Sequence, residues 1–331
     1  MRALLDIPTR VQLGRGALER VGLELAAMGA RKVTIVTEEG AEPLGDRVAE
    51  SVRRAGGAVA GLRACGALDE GCLEAVARDS AGCDAIVAVS GWIAASAAMH
   101  TCDRLGLELV TVAVPPSFSS SLAVAPVPPR GVLAARRPAK QPALALFDPS
   151  LFEAVPRDQV VAEVALLAMK GSAMSRLNAL AGRLARDALE ELRAALARSE
   201  PERLAFSALL AALSVRVGAR GLAPSALAWA LHALLGVDPF KAELSIFPAW
   251  LSELAKRVGE AGAPPLAPDD VELARRAVEG LAPPSLGQLG VKAAKVDLVV
   301  ECAWTYWRYD VEADPVIEDK WDLRELLRAS L

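Results

Sequence analysis

Short apolar runs alternate with amphipathic segments along the first half of the chain. Runs of strand length occupy 10–14, 32–37, 58–62, 85–89 and 109–114, and the later four consist mainly of β-branched and small apolar residues. Segments in which apolar residues recur at helical spacing separate these runs. Apolar strands that alternate with helices are typical of a parallel sheet covered on both faces. The first half therefore predicts an α/β domain.

The pattern changes after Pro156, where strand-like runs give way to apolar residues with a period near 3.6. Predicted helices lie at 158–175, 176–199, 202–217, 224–235, 241–260, 269–281 and 285–306. Proline and glycine occupy most of the breaks between them. We expect an α/β domain over 1–156 and an all-helical domain over 157–331, with a ligand cleft where they meet.

Composition narrows the class of protein. The 331 residues carry a formal net charge of -4, which argues against a nucleic-acid-binding protein because such a protein needs a basic face. The five cysteines, Cys65, Cys72, Cys83, Cys102 and Cys302, are odd in number and show no C-x-x-C spacing. They are typical of reduced thiols, so we expect a cytoplasmic protein.

Two stretches without a formal charge, 85–102 and 109–129, are long enough to raise the question of a membrane. Each is interrupted, the first by Ser90-Gly91 and the second by Pro115-Pro116 and a serine cluster. Breaks of this kind would leave backbone polar groups unpaired in lipid. Buried strands followed by turns explain both stretches, and we expect no membrane association.

Four segments in the same order resemble the iron-containing alcohol dehydrogenases and dehydroquinate synthases. They are Pro8-Thr-Arg-Val-Gln-Leu-Gly14, the strand from Lys32 to Thr37, Asp84 to Met99, and Leu146-Phe-Asp-Pro-Ser-Leu-Phe-Glu-Ala-Val-Pro156. In the helical half, Ala228-Trp-Ala-Leu-His-Ala-Leu-Leu-Gly236 is similar to the family's H-x-x-x-H-x-x-G helix. The resemblance implies a Rossmann-like domain followed by a helical domain.

The dinucleotide loop departs from the family pattern. The family's G-G-G-S-x-x-D-x-x-K loop falls on a segment that keeps Gly91 but has Trp92 at the third glycine position, with Ser96 and Met99 at the Asp and Lys positions. A glycine-rich loop binds pyrophosphate because bare backbone N–H groups approach the anion closely. An indole there should fill that space, so we expect no cofactor and disfavour NAD(P).

The metal site departs from the family pattern more than the dinucleotide loop does. The resemblance places the ligands of the first helix on Val164 and Ala168, and those of the later helix on Trp229 and Ala233. A third histidine would fall near Pro239 or as far along as Glu243. Only two histidines, His100 and His232, occur in the chain. An apolar set cannot coordinate a divalent cation, so we expect no metal.

Three residues are candidates for acid–base chemistry. His232 lies one turn from Trp229 and would act as a general acid or base, or else as a hydrogen-bonded core histidine. Lys170 would point into the former metal cavity, where desolvation suits a base or a Schiff-base lysine, or would extend to the surface. Glu243 would shuttle a proton, or would be an ordinary charge near a helix N-terminus. We expect further pocket-lining residues at Trp92, Ser96, Met99, Ser117, Ser119, Val164, Ala168, Trp229, Ala233 and Lys241.

Other features allow both a functional and a structural interpretation. Ser117, Ser119, Ser120 and Ser121 would bind an anionic or carbonyl ligand, or form a plain turn. A basic loop would capture a phosphate or remain solvated, and its members are Arg130, Arg136, Arg137 and Lys140. Aromatic residues near the C-terminus would pack in the core, form a dimer contact or wall a pocket, and they are Trp304, Tyr306, Trp307 and Tyr309. His100 is expected to be structural.

Three functional hypotheses follow. The first is a metal-independent, non-redox enzyme of isomerase, cyclase or lyase type that binds a small molecule in the cleft. The second is an NAD(P)H-dependent alcohol dehydrogenase or carbonyl reductase of the iron-containing family. The third is a non-catalytic pseudoenzyme or binding subunit. The resemblance also implies a homodimer.

Overall fold

The computed structural model describes residues 8–89, 91–123, 125–134, 138–257 and 266–331. Six parallel strands form one sheet in the order β1-β6-β5-β4-β2-β3. The strands are β1 (Arg10–Leu13), β2 (Lys32–Glu38), β3 (Ala58–Cys65), β4 (Ala85–Val89), β5 (Glu108–Ala113) and β6 (Leu144–Phe147).

The strands are parallel because each returns to the sheet through a crossover, in most cases a helix. The main helices of the first half are α1 (Val21–Ala27), α2 (Glu42–Arg54), α3 (Glu70–Asp79) and α4 (Trp92–Leu105). All five residues of β4 are buried, as expected for a strand covered on both faces.

The order of the strands creates a crevice. The chain passes from β2 outward to β3 and then returns across β2 to β4, so β2 pairs with both. The crevice at such a reversal opens at the carboxyl ends of the two strands, which here are Glu38 and Val89.

Ten helices follow the last strand in the described part of the chain. They are α5 (Pro149–Glu153), α6 (Arg157–Ala173), α7 (Ala179–Arg198), α8 (Pro201–Gly218), α9 (Leu222–Leu235), α10 (Pro239–Lys256), α11 (Pro268–Leu281), α12 (Val296–Tyr306), α13 (Arg308–Val311) and α14 (Lys320–Ala329). The predicted sequence of an α/β region followed by a helical region is thus confirmed.

Helix α6 lies at the centre of the helical region. It packs against α7, α8 and α11, and every residue from Val160 to Ala173 is buried. A helix that is apolar all round is expected in such a position. Its two charged side chains in that span, Glu163 and Lys170, are therefore held inside the protein.

Several elements differ from the sequence prediction, among them the short helices α5 and α13, which were not predicted. The helix expected over 285–306 begins only at Val296, because Gly287 and Gly290 lie in a turn and Gly290 has a φ of 86°. Strand β6 has only four residues and was not predicted. Helix α14 was not predicted either, although Asp319 caps it by accepting from the N–H groups of Trp321 and Asp322.

No single helix in the described ranges is long and apolar enough to cross a membrane. Helices α8 and α9 meet the length and composition criteria only as a pair, and they are bent by 88° relative to each other.

Candidate active site

The crevice between β2 and β4 is filled by a carboxyl group of the protein itself. Glu38 ends β2, and its Oε1 accepts a hydrogen bond of 2.7 Å from the N–H of Ile93 in the first turn of α4. Burial raises the pKa of Glu38, and the N–H groups of Ile93 and Ala94 act in the opposite direction. The carboxyl group therefore binds N–H groups at the N-terminus of α4. Without it, this positive end of the helix dipole would attract an anion.

Gly91 makes this arrangement possible. A Cβ atom at this position would lie 2.7 Å from Oε1 of Glu38, which is closer than real Cβ contacts. The absence of a side chain lets the carboxyl group reach the helix N-terminus. The glycine that resembles part of a dinucleotide loop thus accommodates an internal carboxyl group.

Trp92 closes the same crevice from the side. Its Nε1 donates to Oδ2 of Asp238 at 3.1 Å, and its ring meets the His232 ring edge-on with centroids 4.9 Å apart. Asp238 is the N-cap of α10, where its other oxygen accepts from the N–H of Lys241. The indole is thus fixed between the sheet and the helical region.

A second loop is held in a similar way. Ser117 has a φ of 70°, and its N–H donates to Oε2 of Glu163 at 2.8 Å, while the N–H of Ser119 donates to Oε1 at 3.4 Å. Burial raises the pKa of Glu163 to about 8, with a further contribution from the negative charge of Glu243. The loop that follows β5 is therefore bound to a buried, largely protonated carboxyl group.

Three polar side chains converge in the helical region. Lys170 Nζ donates to Ser225 Oγ and to Glu243 Oε1, both at 2.6 Å, and Ser225 Oγ donates to the same carboxylate oxygen at 2.6 Å. The Lys170 side chain is only 4% exposed and that of Glu243 17%. A buried ion pair of this kind is weak evidence for stability, because desolvation offsets much of the attraction. The pair lies at the wall of a cavity, so it is a candidate for chemistry on a bound molecule.

The cluster faces a chamber of about 120 Å³ between the loop after β5 and helices α6, α8, α9 and α10. Aromatic side chains wall it at Trp92, Trp229 and Phe240. Its other polar residues are Ser117, Ser119, Ser120, Arg216 and Arg220.

An outer cavity of about 400 Å³ adjoins the chamber and shares Trp92, Ser117 and Phe240 with it. The surface of this outer cavity is mainly apolar, with Leu244, Leu281 and Leu289 among its residues. The two spaces together place the polar side chains of the chamber beside a mainly apolar cavity, an arrangement common in small-molecule sites.

Seven of the residues expected at the cleft line these two cavities. Lys170, Glu243, Trp92, Ser117, Ser119 and Trp229 line the chamber, and Lys241 lines the outer cavity. Lys170 and Glu243, proposed separately from the sequence, are in direct contact.

The other six expected residues line neither cavity. Val164 and Ala168 are fully buried in the core, because the face of α6 that meets the chamber carries Leu167 and Lys170. Met99 lies on α4 and packs in a second hydrophobic cluster of the core. Ser96 Oγ accepts from the N–H of Val127 at 3.1 Å, and Ala233 is buried with its carbonyl bound to Gly131.

His232 does not reach either cavity, which corrects its assignment as a cleft residue. It is 4% exposed behind Trp92, and its Nδ1 lies 3.1 Å from the carbonyl oxygen of Val237. Burial lowers its pKa, so the ring is neutral at physiological pH. His100 is likewise tied to the backbone, with Nε2 at 3.0 Å from the carbonyl of Val127.

Glu38, Glu163 and Ser225 were missed by the sequence analysis. A single charge within the apolar run 160–169 was a signal that Glu163 is buried and needs partners. Glu38 and Ser225 offered no comparable signal, because an acidic residue after a strand and a serine within a helix are ordinary.

The described members of the basic loop and of the C-terminal aromatic group line neither cavity. Lys140 pairs with Glu108 at 2.8 Å, Arg130 is exposed, and Arg136 and Arg137 lie outside the described residues. Trp307 is buried and packs on Trp229 with ring centroids 6.3 Å apart. Trp307 therefore supports the chamber wall from behind, whereas Tyr309 is exposed.

The residues at the chamber do not fit a divalent metal ion. Within the described ranges no group of three or more His, Cys, Asp or Glu side chains converges as a ligand set. The ammonium group of Lys170 also stands beside Glu243, where it would repel a cation. A pyrophosphate fits no better, since Glu38 and Trp92 fill the space at the N-terminus of α4.

The strand order and the helical region define the dehydroquinate synthase-like fold of the iron-containing alcohol dehydrogenases. A variant of an archaeal halo-thermophilic alcohol dehydrogenase from a Red Sea brine pool is 18% identical, with a TM-score of 0.79 over 100% of this chain and 99% of that one. The iron-containing alcohol dehydrogenase of Thermococcus thioreducens is 17% identical, with a TM-score of 0.78 over 99% of both chains. NADH-dependent butanol dehydrogenase A of Thermotoga maritima is 17% identical, with a TM-score of 0.69 over 99% and 98%.

These neighbours are oxidoreductases, and likeness at this level of identity establishes the fold of the chain. No protein-family model matches the sequence, and no curated protein matches it.

Proposed function

We propose that this protein is an enzyme that catalyses metal-independent, non-redox proton transfer on a small organic acid. The observation that carries the proposal is the Lys170–Ser225–Glu243 cluster at the wall of the chamber. A carboxylate and an ammonium group held in contact within a partly closed space are suited to general acid–base catalysis. Isomerisation, elimination and cyclisation all use such a pair.

The charges at the chamber favour an anionic substrate. Lys170, Arg216 and Arg220 supply positive charge, whereas Glu243 supplies one negative charge. The carboxylate of a substrate would bind the cationic groups, and its carbon skeleton would extend into the outer cavity. Burial of apolar surface there adds about 25 cal/mol per Å².

The proton balance of the reaction is simple. Glu243 takes a proton from a carbon next to the substrate carboxylate or carbonyl, and Lys170 stabilises the negative charge that develops on oxygen. For an isomerisation, Glu243 returns the proton to another carbon. For an elimination, Lys170 gives a proton to the leaving group. Glu243 then releases the proton that it took from carbon, and Lys170 is reprotonated from solvent.

Glu163 acts as a positioning residue in this scheme. It holds the N–H groups of Ser117 and Ser119, which line the chamber, and it lines neither cavity itself. We expect its substitution to change the affinity for the substrate more than the rate of proton transfer.

Deuterium exchange tests the proposal even while the product of the reaction is unidentified. The protein is incubated in D₂O with a panel of small carboxylic and keto acids, and ¹H NMR follows the loss of carbon-bound protons. We expect exchange with at least one acid, and we expect both Lys170→Met and Glu243→Gln to abolish it. The matched controls are Lys256→Met and Glu253→Gln. They alter an exposed ion pair on α10, the helix that carries Glu243. Exchange that survives Lys170→Met and Glu243→Gln would refute the assigned roles.

A second candidate is an NAD(P)H-dependent alcohol dehydrogenase or carbonyl reductase. It is favoured by the likeness over nearly the full chain to oxidoreductases, one of which is described as NADH-dependent. Consumption of NADH or NADPH with a panel of aldehydes, measured at 340 nm as for any nicotinamide enzyme, separates the two proposals. Turnover in this assay without deuterium exchange would favour the reductase, and a negative result in both would favour a binding protein.

A further inference from the structure

Cys65 and Cys72 lie in contact at the edge of the sheet, away from the chamber. Cys65 is the last residue of β3, and Cys72 is the third residue of α3. Their Sγ atoms are 2.8 Å apart. The turn between them is fixed because Asp69 caps α3 by accepting from the N–H of Cys72 at 2.8 Å.

The pair is open to solvent on one side. A depression of about 450 Å³ is lined by both cysteines together with Arg63, Asp69 and Glu39. Cys65 is buried, whereas Cys72 is partly exposed. A small thiol or disulfide can therefore approach Cys72 first, with Cys65 directly behind it.

The surroundings favour reactivity at Cys72. Contact with Cys65 lowers the pKa of Cys72 and raises that of Cys65. Burial and the Asp69 carboxylate raise the pKa of Cys72, and the Arg63 guanidinium lowers it. The thiol also lies in the first turn of α3, where the macrodipole favours the thiolate. By contrast, burial raises the pKa of Cys102 to about 12 and that of Cys302 to about 11, so these thiols stay protonated.

We propose that Cys65 and Cys72 form a redox-active dithiol that low-molecular-weight disulfides oxidise to an intramolecular disulfide. The Cys72 thiolate attacks one sulfur of the small disulfide, forms a mixed disulfide and releases one small thiolate. Cys65 then loses its proton and attacks the Cys72 sulfur, which releases the second small thiolate. Two protein thiols are oxidised, the small disulfide is reduced to two thiols, and the proton balance closes.

The dithiol is also linked to the crevice through the backbone. The carbonyl of Cys65 accepts from the N–H of Glu39 at 3.3 Å, and Glu39 follows the residue that caps α4. The side chain of Glu39 lies against Gly66, next to the dithiol. The turn that carries Glu38 and Glu39 is therefore in contact with the segment that carries Cys65.

Thiol counting on the full chain tests the proposal. The protein is incubated with oxidised glutathione, unfolded, alkylated with iodoacetamide and weighed by intact mass spectrometry. We expect the number of alkylated thiols to fall from the five of the sequence to three. Peptide mapping should find 65 joined to 72, and dithiothreitol should restore all five thiols.

Two variants separate the two steps. In Cys65→Ser, we expect a lasting glutathione adduct on Cys72, because no resolving thiol remains. In Cys72→Ser, we expect no adduct on Cys65, and Cys102→Ser should oxidise as the wild type does. Five thiols remaining in the wild type, equal loss at Cys83, Cys102 and Cys302, or a cross-link between two chains would each overturn the proposal.

Discussion

The crevice at the sheet and the chamber in the helical region both contain a partly buried glutamate, but in different settings. In the crevice, Glu38 is bound by backbone N–H groups and fills the space in which a ligand anion would sit. In the chamber, Glu243 is bound by the side chains of Lys170 and Ser225, and all three groups face an open volume. The comparison teaches that burial of a charged group does not by itself indicate chemistry. Both carboxyl groups touch a cavity, and they differ in their partners: Glu38 binds backbone N–H groups, whereas Glu243 binds a lysine and a hydroxyl group that can transfer protons.

The largest effect is expected for Lys170→Met. Loss of the ammonium group leaves Glu243 without its cation, which costs about 3 kcal/mol of unfolding free energy. Activity in the deuterium-exchange assay should fall by about 100-fold or more. Urea denaturation measures the first quantity and NMR the second.

Lys256→Met is the matched control for stability, because the Lys256–Glu253 pair is exposed and contributes less than about 1 kcal/mol. Equal losses in the two lysine variants would show that the chamber holds an ordinary ion pair. Lys170→Met together with Glu243→Gln should recover part of the stability but none of the activity.

Glu163→Gln is expected to change the pH dependence of stability. In the folded protein the pKa of Glu163 is raised to about 8 from the ordinary 4.5, so its contribution is complete below pH 4.5 and is lost as the pH rises towards 8. The wild type should therefore lose on the order of 1.4 kcal/mol per pH unit across this window, and the variant should show a flatter curve.

The measurement is urea unfolding at several pH values, with the exposed Glu253→Gln as the control. Asp314, whose pKa burial raises to about 6, adds a similar slope below pH 6 in both proteins. Identical curves for wild type and Glu163→Gln would mean that Glu163 is ionised in the folded state.

A smaller effect is expected from Gly91→Ala, which tests the contact at the crevice. The added methyl group meets the Glu38 carboxyl group, and the clash should cost about 2 kcal/mol. In a Glu38→Ala background the same change should cost less than about 0.5 kcal/mol, because the obstacle has gone. Additive losses in this double-mutant cycle, measured by chemical denaturation, would disprove the contact.

The smallest effect is expected from Trp92→Phe, which removes the hydrogen bond to Asp238. This should cost about 1 kcal/mol, since solvent can still reach Asp238. The control is Trp321→Phe at a ring that is 58% exposed. A loss no larger than that of the control in thermal unfolding would mean that Trp92 is not fixed across the crevice.

The order of strands and helices was largely predictable, because long apolar runs such as β4 and α6 show their period in the sequence itself. The rotation of α6 about its own axis, which decides which residues face the chamber, was not predictable. A shift of one residue rotates a side chain by about 100°, which is enough to move the expected chamber face from Leu167 to Val164 and Ala168. Packing against three other helices sets this rotation, and no local pattern records it.

The partners of the internal carboxyl groups could not be predicted from the sequence for a different reason. Glu38 and its partner Ile93 are 55 residues apart, and Glu163 and Ser117 are 46 apart. Their pairing depends on how the strands are ordered in the sheet and how α6 docks below it. By contrast, the departure at Trp92 is visible in a single loop, which is why the sequence already indicated a crevice unsuited to pyrophosphate.

Titration of the wild-type protein with NADH and NADPH, followed by nicotinamide fluorescence, tests most directly whether the crevice is closed. With Glu38 at the N-terminus of α4 and Trp92 bound to Asp238, we expect no saturable binding up to millimolar concentrations. Saturable binding with a micromolar dissociation constant would contradict this view and would make a nicotinamide-dependent reductase the better proposal.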